Sequence, residues 1–205
     1  MIKAIVVDIG NVLITETGEE ARAFIADLYG FDGGDFWKYA KKNLDKSYRG
    51  QLSGEDFFKG LIEEYDLDVG ASEDLAEAWV KGREKTSRVD EVVAETLKKL
   101  KGKYVLGVLS NSTELNERAR QRRECYEVFD FKILSFEVGI RKPEKKIYDI
   151  LVKELKNRDI EPGECVFVDD AKDNLGPAEE LGIKTILFED AEQMIRELRE
   201  LGVEC

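Results

Sequence analysis

No histidine occurs anywhere in the 205 residues. That absence excludes serine or cysteine catalysis driven by a histidine base, and histidine-ligated zinc with it. Cysteine is nearly as scarce. Cys125, Cys165 and Cys205 are odd in number and far apart, with no CxxC spacing, so neither a disulfide framework nor a thiolate zinc site is indicated. There is no charged-then-apolar leader and no apolar run of about 18 residues, which predicts a cytoplasmic protein without a membrane span. What the chain has in quantity is charge: 37% of residues are charged and the net charge is −12. Such a surface repels nucleic acid and anionic membranes, so neither is an expected partner. An anionic substrate would have to be drawn in by a local cation or a bound metal. The charge is compatible with any oligomeric state.

The length allows a sizeable core with an inserted lobe. Ala4-Ile5-Val6-Val7 is an apolar, largely β-branched run that ends on Asp8, the pattern of a buried parallel strand delivering one charged side chain to its carboxyl end. From about Thr15 to Lys85 the character changes to four successive helical patterns with no strand among them. Ser53 with Asp56 three positions later reads as a capping box opening the third. An alternating pattern then resumes. Ser87 and Asp90 cap a helix whose apolar face is Val89, Val92, Val93, Leu97 and Leu100. Strands follow at Tyr104–Leu109, Phe131–Phe136, Cys165–Val168 and Ile183–Phe188, and Pro143 sits in the first turn of an intervening helix. The fold class expected is α/β, a Rossmann-like parallel sheet with right-handed crossovers and an inserted all-helical lobe.

Three of the predicted strands end on small polar or acidic residues: Asp8, Ser110-Asn111 and Asp169-Asp170. In a parallel sheet these ends share one edge, where ligands of open α/β sheets bind. Each ending alone also suits the capping of a following turn; together they suggest one pocket. Three carboxylates at close quarters require a shared proton or a cation. Oxygen donors without histidine or cysteine favour Mg2+ over zinc, and Mg2+ keeps waters and prefers substrate phosphates, which points to phosphoryl chemistry. Lys142, just ahead of a predicted helix, could aim an ammonium into the same mouth or lie solvated at the surface. Ser110 and Asn111 offer a hydroxyl, an amide and backbone N–H groups to phosphate oxygens.

The ordered set Asp8-Ile9-Gly10-Asn11-Val12-Leu13, Leu109-Ser110-Asn111, Arg141-Lys142-Pro143-Glu144 and Phe167-Val168-Asp169-Asp170 with Asn174 resembles the four motifs of the haloacid dehalogenase-like hydrolase superfamily over essentially the whole chain. The helical stretch after the first motif is similar to that family's C1-type cap. Gly50 to Phe58 resembles the cap of its small sugar-phosphate phosphatases, whose first motif reads Asp-x-Gly-Asn-Val. The resemblance implies a Rossmann-like core over 1–14 and 86–205 and a helical cap over 15–85. It implies Asp8 as the nucleophile that forms an aspartyl-phosphate, with Ser110 and Lys142 as its catalytic partners. It implies Mg2+ held by Asp8, the Gly10 carbonyl, Asp169 and Asp170, with Asn174 supporting that shell. The implied substrate-binding set is Gly10, Asn11, Ser110, Asn111 and Lys142, with Phe36, Trp37, Tyr39 and Lys41 or Lys42 of the cap selecting the substrate. Helical spacing of those aromatics suits a packed core as well.

One position departs from the pattern. Most phosphatases of the superfamily place a second aspartate, the general acid, where this chain has Gly10; general acid–base help contributes about 10²–10⁴-fold. Glu16 or a cap residue could supply the proton instead. The expected function is a Mg2+-dependent phosphatase acting on a small phosphorylated metabolite, a sugar phosphate among the candidates. The alternatives are a phosphate- and metal-binding protein of the same fold with weak or no turnover and, ranked lower, a 2-haloacid dehalogenase, whose chemistry gives the Asp169-Asp170 pair no purpose.

Overall fold

The computed structural model describes residues 1–15 and 18–205. Its centre is a five-stranded, all-parallel sheet built from β1 (Ala4–Val7), β2 (Val105–Ser110), β3 (Phe131–Leu134), β4 (Cys165–Asp169) and β5 (Lys184–Leu187) in the spatial order β3-β2-β1-β4-β5. The first strand is therefore the middle one. Its residues are all buried, as a strand covered on both faces requires. Side chains alternate between the faces with period two. Ile5 and Val7 join Val166 and Val168 on one side, against α5 (Glu91–Leu100) and α10 (Ala191–Glu200). Ala4 and Val6 join Cys165 and Phe167 on the other, against α8 (Lys145–Lys156) and α9 (Gly176–Glu180).

Between β1 and α5 run α1 (Gly18–Tyr29), α2 (Gly33–Tyr48), α3 (Gly54–Tyr65) and α4 (Ser72–Thr86). They bury their own apolar cluster around Ile25, Phe36, Phe58, Leu61 and Leu75. Leu115 and Ala119 of α6 (Glu114–Arg120), which follows β2, belong to the same cluster and fasten these helices over the sheet's carboxyl edge. Aromatic contacts dominate here: Phe36 stacks on Trp79 at 5.5 Å, and Phe57 meets Phe58 edge-on at 5.4 Å. At Gly50 the backbone has φ +64°, and a Cβ would lie 2.1 Å from the Phe136 carbonyl oxygen, so only glycine permits this approach of the α2–α3 turn to the body below.

Several local expectations change. Pro143 precedes α8 instead of opening it, because Glu144 N–H donates to the Arg141 carbonyl at 2.9 Å and closes a turn that contains the proline; the Lys142–Pro143 peptide is cis. Ser87 terminates α4, and Asp90 alone caps α5 through Val92 and Val93 N–H. Val92 faces solvent, since α5 needs only the stripe of Val93, Leu97 and Leu100 to cover the sheet. β3 stops at Leu134, and Ser135–Val138 coil into the short helix α7. Only half of the capping box forms: Ser53 Oγ accepts from Asp56 N–H, but the Asp56 carboxylate accepts from that hydroxyl and not from the Ser53 backbone. Among the described residues no helix is long and apolar enough to cross a membrane.

Candidate active site

The parallel register brings the predicted strand ends together. Val7 pairs with Val108 and with Val168, so the residues that follow on three neighbouring strands emerge side by side. Asp8 N–H donates to the Val168 carbonyl at 2.8 Å, which fixes Asp8 beside Asp169. Carboxylate oxygens of Asp8, Asp169 and Asp170 all lie within 4.8 Å of one another. The Lys142 side chain is fully buried between two of them, with Nζ 2.5 Å from Asp169 Oδ2 and 3.3 Å from Asp8 Oδ1. The sequence left open whether this lysine was solvated; the structure buries it in the site.

Each group is held by its surroundings. Asp8 Oδ1 also accepts from Ile9 N–H at 2.7 Å. Asp169 Oδ1 accepts from Ala171 N–H at 2.8 Å and from Asn174 Nδ2 at 2.9 Å, so Asn174 braces the acidic pair. Tyr148 Oη in turn donates to the Asn174 carbonyl at 2.7 Å. Burial pushes the Asp169 carboxyl above its usual range and the Asp8 charge adds to that, while Lys142 and Asn174 oppose both. Asn11, at φ +55°, donates from Nδ2 to Asp170 Oδ2 at 3.1 Å. The Asn111 amide clamps the Lys142 backbone from both sides: Lys142 N–H donates to Oδ1 at 2.8 Å, and Nδ2 donates to the Lys142 carbonyl at 3.0 Å. Ser110 is buried, with Arg120 Nη1 3.5 Å from its hydroxyl.

A cavity of ≈ 590 Å³ opens over this edge, lined by Asp8, Gly10, Asn11, Asn111 and Asp170 below. Phe36, Trp37, Ala40, Leu44, Tyr48 and Trp79 line it from the helical segment. Of the residues expected to select a substrate, Phe36 and Trp37 reach the cavity. Tyr39 packs edge-on against Phe57, Lys41 lies over the Trp37 ring and Lys42 pairs with Glu64, and none of the three is in the cavity lining itself. Glu16 lies outside the described residues.

The sequence reading missed Arg22, Arg83, Asn116 and Arg120, which also line the cavity. Arg83 and Arg120 are almost wholly buried. Burial, with the neighbouring charges of Arg120 and Arg123, pushes the Arg83 guanidinium down to about 10. Nothing in Gly82-Arg83-Glu84-Lys85 sets that arginine apart from solvated neighbours, because its burial comes only from helix docking.

A profile of the haloacid dehalogenase-like hydrolase family matches residues 2–182. The chain belongs to the haloacid dehalogenase-like hydrolases. It is 27% identical over 209 residues to the D-ribitol-5-phosphate phosphatase of Bacteroides thetaiotaomicron, a match covering 97% of each chain. The structure is similar to that of a haloacid dehalogenase-family enzyme of Bacteroides thetaiotaomicron solved with magnesium and inorganic phosphate, at TM-score 0.77 and 23% identity over 96% of this chain and 100% of that one. A 93-residue stretch is 39% identical to the bifunctional epoxide hydrolase 2 of Sus scrofa; it is 45% of this chain and spans only 16% of that relative's length.

Proposed function

We propose that the protein is a Mg2+-dependent phosphatase of a small phosphorylated metabolite, with 1–14 and 86–205 as the catalytic body and 15–85 as its cap. The observation that carries this reading is the convergence of Asp8, Asp169 and Asp170 within 4.8 Å around one buried lysine. Asp8 and Asp169 share one ammonium, that of Lys142, and the hard oxygen donors of the three carboxylates fit Mg2+. Asp8, Asp169 and Asp170, with the Gly10 carbonyl, would hold the ion. When bound it neutralises charge on the phosphate and removes the repulsion between that phosphate and the carboxylates.

Asp8 has the position and the restraint of a nucleophile. Ile9 N–H and Lys142 hold its Oδ1, which leaves Oδ2 to attack phosphorus and displace the alcohol oxygen. Water then attacks the phosphorus of the aspartyl-phosphate, releasing inorganic phosphate and restoring the carboxylate. Lys142 balances charge on the transferring group, and Ser110 and Asn11 bind its oxygens. Asn111 contributes through Lys142, whose backbone it fixes, as well as by facing the cavity. The match to the D-ribitol-5-phosphate phosphatase across 97% of both chains supports a sugar or polyol phosphate as a substrate candidate.

Gly10 favours a second reading, a phosphate- and metal-binding protein with negligible turnover, since no carboxylic acid stands there to protonate the leaving oxygen. Hydrolysis of p-nitrophenyl phosphate separates the two, because its leaving group needs little acid help. The phosphatase reading expects turnover with Mg2+, none with EDTA and none in Asp8→Asn. Binding of Mg2+ and phosphate by a wild-type protein that hydrolyses neither this ester nor a panel of sugar phosphates would establish the second reading.

A further inference from the structure

The loop that delivers Lys142 is held from two sides. From the sheet, Asn111 clamps the Lys142 backbone. From the helical segment, the end of α2 grips the residues on either side of Lys142-Pro143. Arg141 Nη1 donates to Asp45 Oδ1 at 2.8 Å, and Arg49 donates to Glu144 through Nη2 at 2.8 Å and Nη1 at 3.3 Å. Arg49 Nε also donates to Asp45 Oδ2 at 2.9 Å. These contacts run from Arg141 through Asp45 and Arg49 to Glu144, and the Glu144 N–H bond to the Arg141 carbonyl closes them into a ring around the turn that carries Lys142.

Helix geometry lets α2 do this. Asp45 and Arg49 are four positions apart and share a face, one position round from Leu44 and Tyr48, which line the main cavity. The Arg141 guanidinium lies 5.4 Å from the centre of the Tyr48 ring. One helical turn thus meets the cavity with one pair of side chains and the Lys142 loop with the next. All four charged side chains keep contact with solvent. A lone pair of that kind contributes little, but a bidentate arginine within a network is the arrangement in which such pairs count. Arg49 and Arg141 hold the Asp45 carboxyl below the usual carboxylate range, and Arg49 does the same to Glu144. A second network, Arg118 with Glu55 at 3.1 Å and Glu77 at 3.2 Å, joins α6 to α3 and α4 away from this loop.

We infer that Asp45 and Arg49 are positioning residues for Lys142: neither lines the cavity, yet together they fix both flanks of the loop whose lysine lies between Asp8 and Asp169. The helical segment then helps to set the lysine as well as to wall the cavity. The inference rests on the phosphatase reading for the claim that placing Lys142 governs the rate.

Two readouts test it, with Arg118→Gln as a control that breaks ion pairs of the helical segment without touching the Lys142 loop. The first, amide hydrogen exchange by NMR at Lys142 and Glu144, needs no turnover. Arg49→Gln and Asp45→Asn should each speed exchange at both amides by about threefold or more, and Arg118→Gln should leave it unchanged. The second is Mg2+-dependent hydrolysis of p-nitrophenyl phosphate. Both ring variants should lower kcat by about tenfold at unchanged KM, and Arg118→Gln should change neither constant. Arg49→Gln combined with Glu144→Gln should be no slower than the slower single variant, because both break the same link. Exchange unchanged in the ring variants, faster exchange with kcat unchanged, or effects that Arg118→Gln matches would overturn the inference and leave the phosphatase intact. Faster exchange confined to the ring variants, in a protein whose wild type hydrolyses neither this ester nor a panel of sugar phosphates, would support the hold of α2 on the loop and overturn the phosphatase reading.

Discussion

The sheet edge and the helical segment above it use charge in opposite ways. At the edge, Lys142 and Asp169 are fully buried and paired with each other. In the helical segment, Lys38 with Asp35 and Lys42 with Glu64 form comparable contacts at 2.9 and 2.8 Å, yet both lysines are mostly exposed. An exposed pair contributes about 0–1 kcal/mol, whereas a buried charge stripped of its partner costs about 3–5 kcal/mol. Their supports differ too. The edge gains its geometry from backbone register and a few amide clamps, while the helical segment gains its shape from aromatic packing around Phe36 and Phe58. One region holds its charged atoms through backbone register and buried pairing. The other walls the cavity that lies above them.

Substitutions at each level should separate the two regions. Asp8→Asn keeps the shape of the edge and removes the nucleophile proposed for it, so Mg2+-dependent turnover of p-nitrophenyl phosphate should fall by on the order of 10⁴-fold or more, with an unchanged circular-dichroism spectrum. Phe58→Ala empties the aromatic cluster and should cost about 3–5 kcal/mol of stability in urea unfolding; a loss below about 1 kcal/mol would show that the cluster collapses freely and gives the segment little shape. Asn111→Ala releases the Lys142 backbone, and the resulting misplacement should lower kcat by about 10²-fold while the melting curve moves little. The smallest effect belongs to Lys42→Ala, which should leave the urea midpoint unmoved, since its partner Glu64 stays solvated when the pair is broken.

How much of this was legible in the sequence follows the same division. Asp8, Ser110 and Asp169 were visible because a polar residue at the end of an apolar run leaves a local mark, and a parallel sheet turns three such marks into one place. The upper lining of the cavity leaves no such mark. Arg83, Arg120 and Tyr48 sit in charged helical stretches whose buried face is chosen only when the helices dock. Helix α6 itself drew no expectation, because Leu115 and Ala119 are the only apolar residues among its seven. Val92 and Pro143 show the converse error. A periodic apolar residue can still face water, and a proline suited to a helix start can be taken up by the turn before it.

The place of β1 in the middle of the sheet has a consequence in time. The strand that carries Asp8 is synthesised first, but its two neighbours are β2 and β4, and β4 with Asp169 and Asp170 is nearly the last part of the sheet to appear. A growing chain therefore holds Asp8 without the two carboxylates or the lysine that it meets in the folded sheet. The cluster of Asp8, Lys142, Asp169 and Asp170 forms only when the crossover through α8 sets β4 beside β1, which makes it a late product of folding.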